Sequence, residues 1–253
     1  MGCIKVSEGC KHCYMFRDQE RYGHDPRELR RSKTTFEDPL KWKEPRRIFV
    51  CSWSDFFLET VPEQWRIDAY MVMHAAPQHT FMLLTKRPQN MGAMLPDGWS
   101  DGMWHQLPNV WLGVSAENQR RADERIPLLL QVPAAVHFVS AEPLLGPIDL
   151  LSPWYDWLTG WTTEAEPDQR GEPVPVQVQT DKLDWIITGG ESDLTDPRLM
   201  DLDWARSIRD QCVEAGVAFF HKQHGGRRKI GSAWGGRELD GRIWDGFPQG
   251  TSR

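Results

Sequence analysis

No stretch of this chain of 253 residues approaches the ~18 consecutive apolar residues of a membrane-spanning helix. The first residues are charged and contain cysteine, which is not the make-up of a signal peptide. Met1-Gly2 resembles a myristoylation start, but Val6 stands where Ser or Thr is wanted. The chain is therefore expected to be soluble and cytoplasmic, with no membrane partner. A surplus of positive charge is also missing. The net charge of −6 provides no overall basic field, so any nucleic-acid contact must come from a local patch. The short clusters Arg30-Arg31, Arg46-Arg47, Arg120-Arg121 and Arg227-Arg228-Lys229 are scattered and have acids nearby, and they read as solvated faces. An even set of cysteines is absent as well. There are five, and in a reducing compartment they are expected to be free thiols able to hold metal.

The composition supports a full core, since 40% of the residues are hydrophobic and 26% charged. The thirteen tryptophans read mostly as core filling with some exposed rings. Six apolar runs recur, at residues 47–55, 80–87, 110–118, 136–143, 184–193 and 217–223. They are continuous rather than alternating, as in strands covered on both faces of a parallel sheet. Helix signals fill the connections. Thr60 and Glu63 form a capping-box pattern ahead of an apolar face of Ile67, Tyr70, Met71 and Ala75. Asp203 is placed to cap a helix carrying Trp204, Ile208, Cys212 and Ala215, ended by Gly216. A helix is expected from Asn118 to Arg125, with Pro127 kinking or restarting the segment beyond it. Alternating strands and helices predict an α/β fold, a full or partial barrel of mostly parallel strands. An open doubly wound sheet is the competitor, but no Gly-x-Gly-x-x-Gly comes after the first run. Residues 152–182 break the rhythm and read as an insertion or lid, in which Trp154, Tyr155, Trp157 and Trp161 pack back on the barrel or stack on a planar substrate. In the tail, 224–253, Asp240-Gly241 predicts a tight hairpin turn.

The runs end in polar residues: Ser54 and Asp55, Lys86 and Arg87, Glu117 and Asn118, Glu142, Glu191 and Ser192, Lys222 and Gln223. In a parallel βα arrangement these ends gather on one rim, where active sites are built. Cys3, Cys10 and Cys13 precede them with the spacing C-x6-C-x2-C. Three thiolates with His12 or His24 make a Cys3His zinc site. Alternatively, three thiolates hold a [4Fe-4S] cluster whose fourth iron is open to another ligand. Cys51, inside a run, and Cys212, on a helix face, are not natural fourth ligands.

The segments "GCIKVSEGCKHCY", "RRIFVCSWSDFF", "APQHTFMLLTKRP", "VHFVSAEPLLGPIDL", "LDWIITGGES" and "GRELDGRIWDGFP" together resemble a family of phage and prophage proteins of largely unknown function. That family is similar to a divergent branch of the radical S-adenosylmethionine superfamily, with some likeness to spore photoproduct lyase. The resemblance implies one domain over 1–253, a partial (β/α)6–7 TIM-like barrel with a cluster loop at 1–16. It implies a [4Fe-4S] cluster on Cys3, Cys10 and Cys13 that binds S-adenosylmethionine, an external electron donor, and a host cytoplasm. His12 stands where the superfamily often places an aromatic near the adenine, and Tyr14 lies two residues on. With them, Ser54, Asp55, Lys86, Glu117, Glu142 and Glu191 would form the cofactor and substrate shell, Glu191 as a rim acid. The analogy extends to a nucleic acid or nucleotide as substrate, the alternative being a zinc-stabilised nucleic-acid- or partner-binding protein without catalysis. Relatives carry a strand ahead of the first cysteine, whereas Met1 and Gly2 alone precede Cys3, so the loop is expected to lack support on that side.

Overall fold

The six apolar runs pair side by side in the order of the chain. A computed structural model describes residues 1–99, 107–168, 170, 172–193 and 195–248; the end of the expected tail, 249–253, lies outside them. Helix α1 (Tyr14–Arg21) leads to strand β1 (Arg47–Val50), helix α2 (Glu63–Ala75), strand β2 (Thr80–Thr85), the short helix α3 (Met91–Met94) and strand β3 (Val110–Ser115). Helix α4 (Gln119–Leu129) and strand β4 (His137–Ala141) come next. Four strands then interrupt the alternation: β5 (Leu151–Ser152), β6 (Tyr155–Asp156), β7 (Trp161–Pro167) and β8 (Pro173–Gln179). It resumes with β9 (Trp185–Gly189), α5 (Leu202–Ala215) and β10 (Ala218–Gln223). The hairpins β11 (Lys229–Ile230) with β12 (Ala233–Trp234), and β13 (Glu238–Leu239) with β14 (Arg242–Ile243), complete the order. The main sheet runs β1-β2-β3-β4-β9-β10, every neighbouring pair parallel.

Six flat strands would hold the edges about 24 Å apart at the usual spacing. Here one cavity is lined from both edges, by Arg47 and Phe49 of β1 and Phe220 and Lys222 of β10. The Arg47 guanidinium lies 3.7 Å from the ring centre of Phe247, which in turn packs on Phe220. The sheet is thus curled into a half-barrel. Its convex face carries Phe81, Leu83, Leu112, Val114, Val139, Ile186 and Phe219 into the main core with the helices. Its concave face holds a second cluster, Trp111, Val136, Phe138 and Trp185, joined by Met82, Leu84, Ile187, Phe220 and Phe247. Two tryptophans therefore fill the half-barrel, as core filling predicts.

The helices depart from expectation in detail. Pro62, with its fixed φ, stands immediately before α2, which begins without a side-chain cap, so the Thr60 box does not form. That helix buries Arg66, Ala69, Tyr70 and Met73, while Ile67 and Met71 are exposed. The Tyr70 ring is edge-on to Phe56 at 5.3 Å and tilted against Trp99, which sets the face that the helix buries. Asp201, not Asp203, caps α5, its side chain accepting from the Asp203 N–H, and Gly216 closes the helix at φ 69°. Asn118 caps α4, which continues through Pro127 to Leu129.

The connection from β4 to β9 contains no helix among the described residues. Leu144, Ile148, Leu150, Trp157, Leu158 and Leu183 enter the main core instead, and β5 to β8 form an antiparallel meander. Tyr155 and Trp157 stack on each other at 4.0 Å, with Trp157 buried, so of the two readings of these rings packing back is the one seen. Trp154 alone of the group is well exposed. Asp240 and Gly241, both left-handed, make the expected hairpin turn.

One close approach tests the concave face. A side chain at Gly113 would place its Cβ 2.5 Å from the Phe138 ring. Gly113→Ala is expected to destabilise the fold by about 1–3 kcal/mol, read from urea unfolding. An unchanged midpoint would mean that the ring does not lie over β3.

Candidate functional site

The carboxylate of Glu117, just past β3, is fully buried, and a buried charge must be paired and hydrogen-bonded. Arg125 of α4 donates to its Oε2 at 2.8 Å, and Ser7 Oγ donates to its Oε1 at 2.6 Å. Lys86 Nζ stands 3.9 Å away. Gly9 lies so close that a Cβ there would be 2.2 Å from Oε1, so only glycine lets the cysteine loop rest on this group.

The neighbouring strand ends hold the same loop. Past β1, Asp55 accepts from Thr85 Oγ1, the Lys86 N–H and Arg87. Arg87, buried between Asp55 and Glu59, donates through Nη2 to the Ile4 carbonyl at 2.7 Å. Past β9, Glu191 pairs with Arg198 and with His12 Nδ1, 2.9 Å from Oε2. Burial opposes its charge, but the Arg198 and His12 hydrogen bonds prevail and keep its carboxyl below the ordinary range. Arg198 also donates to the Glu8 carbonyl at 2.9 Å. The Glu8 side chain is gripped by Arg121, with Asn118 donating as well, and is held down to about 2. Asp193, hydrogen-bonded first by Thr195 and paired with Arg17 of α1, is also held at about 2.

The loop is pinned on its other side too, against expectation. Gly2 bridges Ser54, its N–H donating to the Trp53 carbonyl at 3.1 Å while Ser54 Oγ donates to its carbonyl at 2.6 Å. The Cys3 N–H donates to Pro26, and the Met1 amine to the Arg30 carbonyl. The bridge to the turn after β1 thus supports the loop on the side where support was expected to be lacking.

Cys3, Cys10 and Cys13 are all partly buried free thiols on this loop. Burial, with Asp55 adding to it, pushes the Cys3 thiol up to about 11. Cys10 Sγ lies 3.9 Å from Ser7 Oγ, and Cys13 immediately precedes α1. Among the described residues no three His, Cys, Asp or Glu groups are arranged to hold a single metal ion. His12 has its Nδ1 on Glu191, and His24 is exposed in the turn after α1. Cys51 lies just beyond β1, not within it, in a left-handed turn at φ 62°.

Beneath the loop the half-barrel encloses a cavity of about 440 Å³. Its walls are Met82, Leu84, Phe138 and Ile187; Trp185 and Phe247 lie among its lining residues, and Tyr14, Ser52, Ser140, Glu142 and Lys222 give it polar groups. Glu142 and Lys222 pair at 2.8 Å. Tyr14 donates to the Ser52 carbonyl at 2.6 Å, and burial, helped by Cys13 and Glu142, raises its phenol to about 12. The expected shell therefore divides. Tyr14 and Glu142 line the cavity. Ser54, Asp55, Glu117 and Glu191 hold the loop, with His12 clasped to it and Lys86 beside Glu117. Sequence reasoning passed over Ser7, Glu8, Arg125 and Arg198. A signal existed for Arg125, since a buried acid requires a buried cation, but none for Arg198, which lies in an irregular segment.

A family model described as "Protein of unknown function (DUF5131)" matches residues 1–248. The chain belongs to this family. No curated protein and no solved structure matches it. The DUF5131 match takes in the cysteine loop, the half-barrel, the meander and both hairpins. No helix among the described residues of this DUF5131 chain is long and apolar enough to cross a membrane.

Two measurements test how the loop is held. Glu117→Ala leaves Arg125 buried without its partner, with an expected loss of about 3–5 kcal/mol in urea unfolding and faster alkylation of Cys10. Unchanged stability and labelling would disprove the clamp. Glu8 and Asp193 both have carboxyls depressed to about 2 from ordinary values of 4.5 and 3.8. Their contribution is complete above about pH 4.5 and is lost as the pH falls toward 2. The melting temperature of the wild type should therefore fall more steeply over that window than that of Glu8→Gln/Asp193→Asn; parallel curves would refute it.

Proposed function

We propose that this DUF5131 protein is a radical S-adenosylmethionine enzyme, its half-barrel of the radical S-adenosylmethionine type and its cluster loop carrying a [4Fe-4S] cluster on Cys3, Cys10 and Cys13. The observation that supports this reading is a three-thiol loop held on the C-terminal ends of parallel strands, with Tyr14, next to Cys13, lining a cavity in the concave face. The donor set fits. A four-iron cluster bonds each thiolate at a different iron, so the thiols need not meet at one point as a zinc site demands. Cys3, Cys10 and Cys13 would hold the cluster, which would supply one-electron reduction of S-adenosylmethionine and, through it, radical abstraction of hydrogen from a substrate.

The chain's own residues do the rest. Glu191, itself held by Arg198, orients His12 through Nδ1. Tyr14 stays a neutral phenol whose ring flanks the cavity mouth. Glu142 and Lys222 offer one acceptor and one donor for the polar end of the cofactor, with Ser140 beneath them. Met82, Leu84, Phe138 and Ile187 keep water from the reacting centre. An external reductant is required, in keeping with a cytoplasmic setting in the host.

Anaerobic reconstitution tests this directly. The expected result is about four irons per chain, lost in Cys3→Ala, Cys10→Ala or Cys13→Ala, and release of 5′-deoxyadenosine on reduction with S-adenosylmethionine. One tightly held zinc, no iron uptake and no cleavage would establish the non-catalytic alternative instead.

A further inference from the structure

Most of the basic clusters of this chain are neutralised. Arg120 and Arg121 pair with Glu124 and Glu8, Arg206 and Arg209 share Asp240, and Arg31 holds Asp68. Arg46 and Arg47 keep their charge, having no ion pair among the described residues, but lie over the rings of Trp42 and Phe247. Arg227, Arg228 and Lys229 differ. All three are exposed, and none has an ion pair among the described residues, Lys229 alone standing 5.6 Å over the Trp234 ring. In a chain of net charge −6, three adjacent cations without acids form a local positive site against an opposing background.

The loop that presents them is built and anchored. Gly225 and Gly226 take φ of 88° and 104°, and a Cβ at Gly225 would lie 2.6 Å from the Glu191 carbonyl oxygen. The Gly226 N–H donates to that carbonyl at 2.8 Å, and the Gly235 N–H donates to the Arg228 carbonyl. Glu191 is the residue whose side chain holds His12, so the basic loop and the cysteine loop sit on one rim. Lys5 and Lys11 add exposed cations from the cysteine loop. The rim acids Glu142, Glu191 and Asp193 are already engaged by Lys222, Arg198 and Arg17, leaving Asp196 and Glu238 as exposed acids nearby. Across the cavity, Phe49 and Tyr14 leave 46% and 43% of their surfaces open. Open aromatic faces beside unpaired cations are the means by which proteins hold single strands, phosphates on the cations and bases on the rings.

We propose that this rim binds single-stranded nucleic acid, the phosphates on Arg227, Arg228 and Lys229 and an unstacked base at the cavity mouth on Phe49. This rests on the proposed function in one respect, that the base lies at the mouth of the reactive cavity. A duplex cannot place a base there without expelling it from the stack.

Binding is measured by fluorescence anisotropy with labelled DNA and RNA single strands of about 12 nucleotides and a duplex of equal length, over a range of KCl, on reconstituted and iron-free protein. Single strands should bind more tightly than duplex. The variant Arg227→Ala/Arg228→Ala/Lys229→Ala should lower the slope of log K against log salt by about 2, from roughly 0.7 for each of three contacts. Phe49→Ala should weaken binding about tenfold with the slope unchanged. These side chains are exposed, and unchanged melting temperatures confirm folding. Wild-type affinity and slope in the triple variant would overturn the site. Equal affinity for duplex and single strand, with Phe49→Ala silent, would overturn the base contact. The iron-free arm needs neither cluster nor cofactor, so loss of binding leaves the iron count untouched, and failure of iron uptake leaves the binding result intact.

Discussion

The buried carboxylate of Glu117 is the contact on which the rest of the rim depends, because both of its oxygens are committed and they are committed to different parts of the chain. One oxygen faces Arg125 on α4 and the other Ser7 on the cysteine loop. Removing such a charge from water is favourable only when both partners are in place, so helix, strand and loop must assemble together. The loop has little regular structure ahead of α1, one short turn at Glu8–Cys10. Its shape is inherited from the groups that grip it: Glu117 at Ser7, Arg87 at Ile4, Arg121 at Glu8, and Glu191 at His12. Each lies at the end of a strand or in the turn or helix just after it, which places all three thiols over one end of the half-barrel.

A half-barrel leaves its concave face open along one side, and an open apolar face must be covered. Phe247 closes part of it, its ring against Trp185 at 4.8 Å and under the Arg47 guanidinium, while the Trp185 Nε1–H donates to the Gly246 carbonyl. The same segment covers the outer edge of β10, where the His221 N–H donates to Trp244 and the Gly246 N–H to Phe219. The polar residues Ser140, Glu142 and Lys222 come after, along their strands, apolar residues that face the same cavity. The cavity is therefore apolar along the strands and polar where they end, on the side lined by Tyr14, next to Cys13.

The six strands were legible because each is a continuous apolar run, β3 and β4 buried along their whole length and the edge strand β1 half open, and their order was legible because each unit joins its neighbour. The convergence of polar strand ends was legible for the same reason. Their pairing within the chain was not. Asp55, Glu117 and Glu191, read as a shell for a ligand, pair with Arg87, Arg125 and Arg198, and spacing alone does not reveal which buried acid meets which cation. The meander was missed where a signal did exist. Residues 173–179 alternate Val174, Val176 and Val178 with Pro and Gln, the period of a strand with one face open, but the prolines at 173 and 175 argued against it. The face of α2 was misjudged because Ile67 and Met71 are as apolar as Ala69 and Met73, and the packing of Tyr70 against Phe56 and Trp99, not the pattern, decides between them.

Glu191 joins the two parts of the rim. Its side chain holds His12, next to Cys13, and Arg198, which reaches the Glu8 carbonyl. Its main-chain oxygen accepts from Gly226, the residue before the unpaired cations. Gly190 allows this, since a Cβ there would fall 1.9 Å from the His224 carbonyl oxygen. The cysteine loop and the basic loop thus share one residue as anchor, through side chain on one side and backbone on the other. A shift of either loop must therefore cost a hydrogen bond at Glu191 or carry the other loop with it, and this fixes the distance between the thiols and the cations more firmly than either loop could alone.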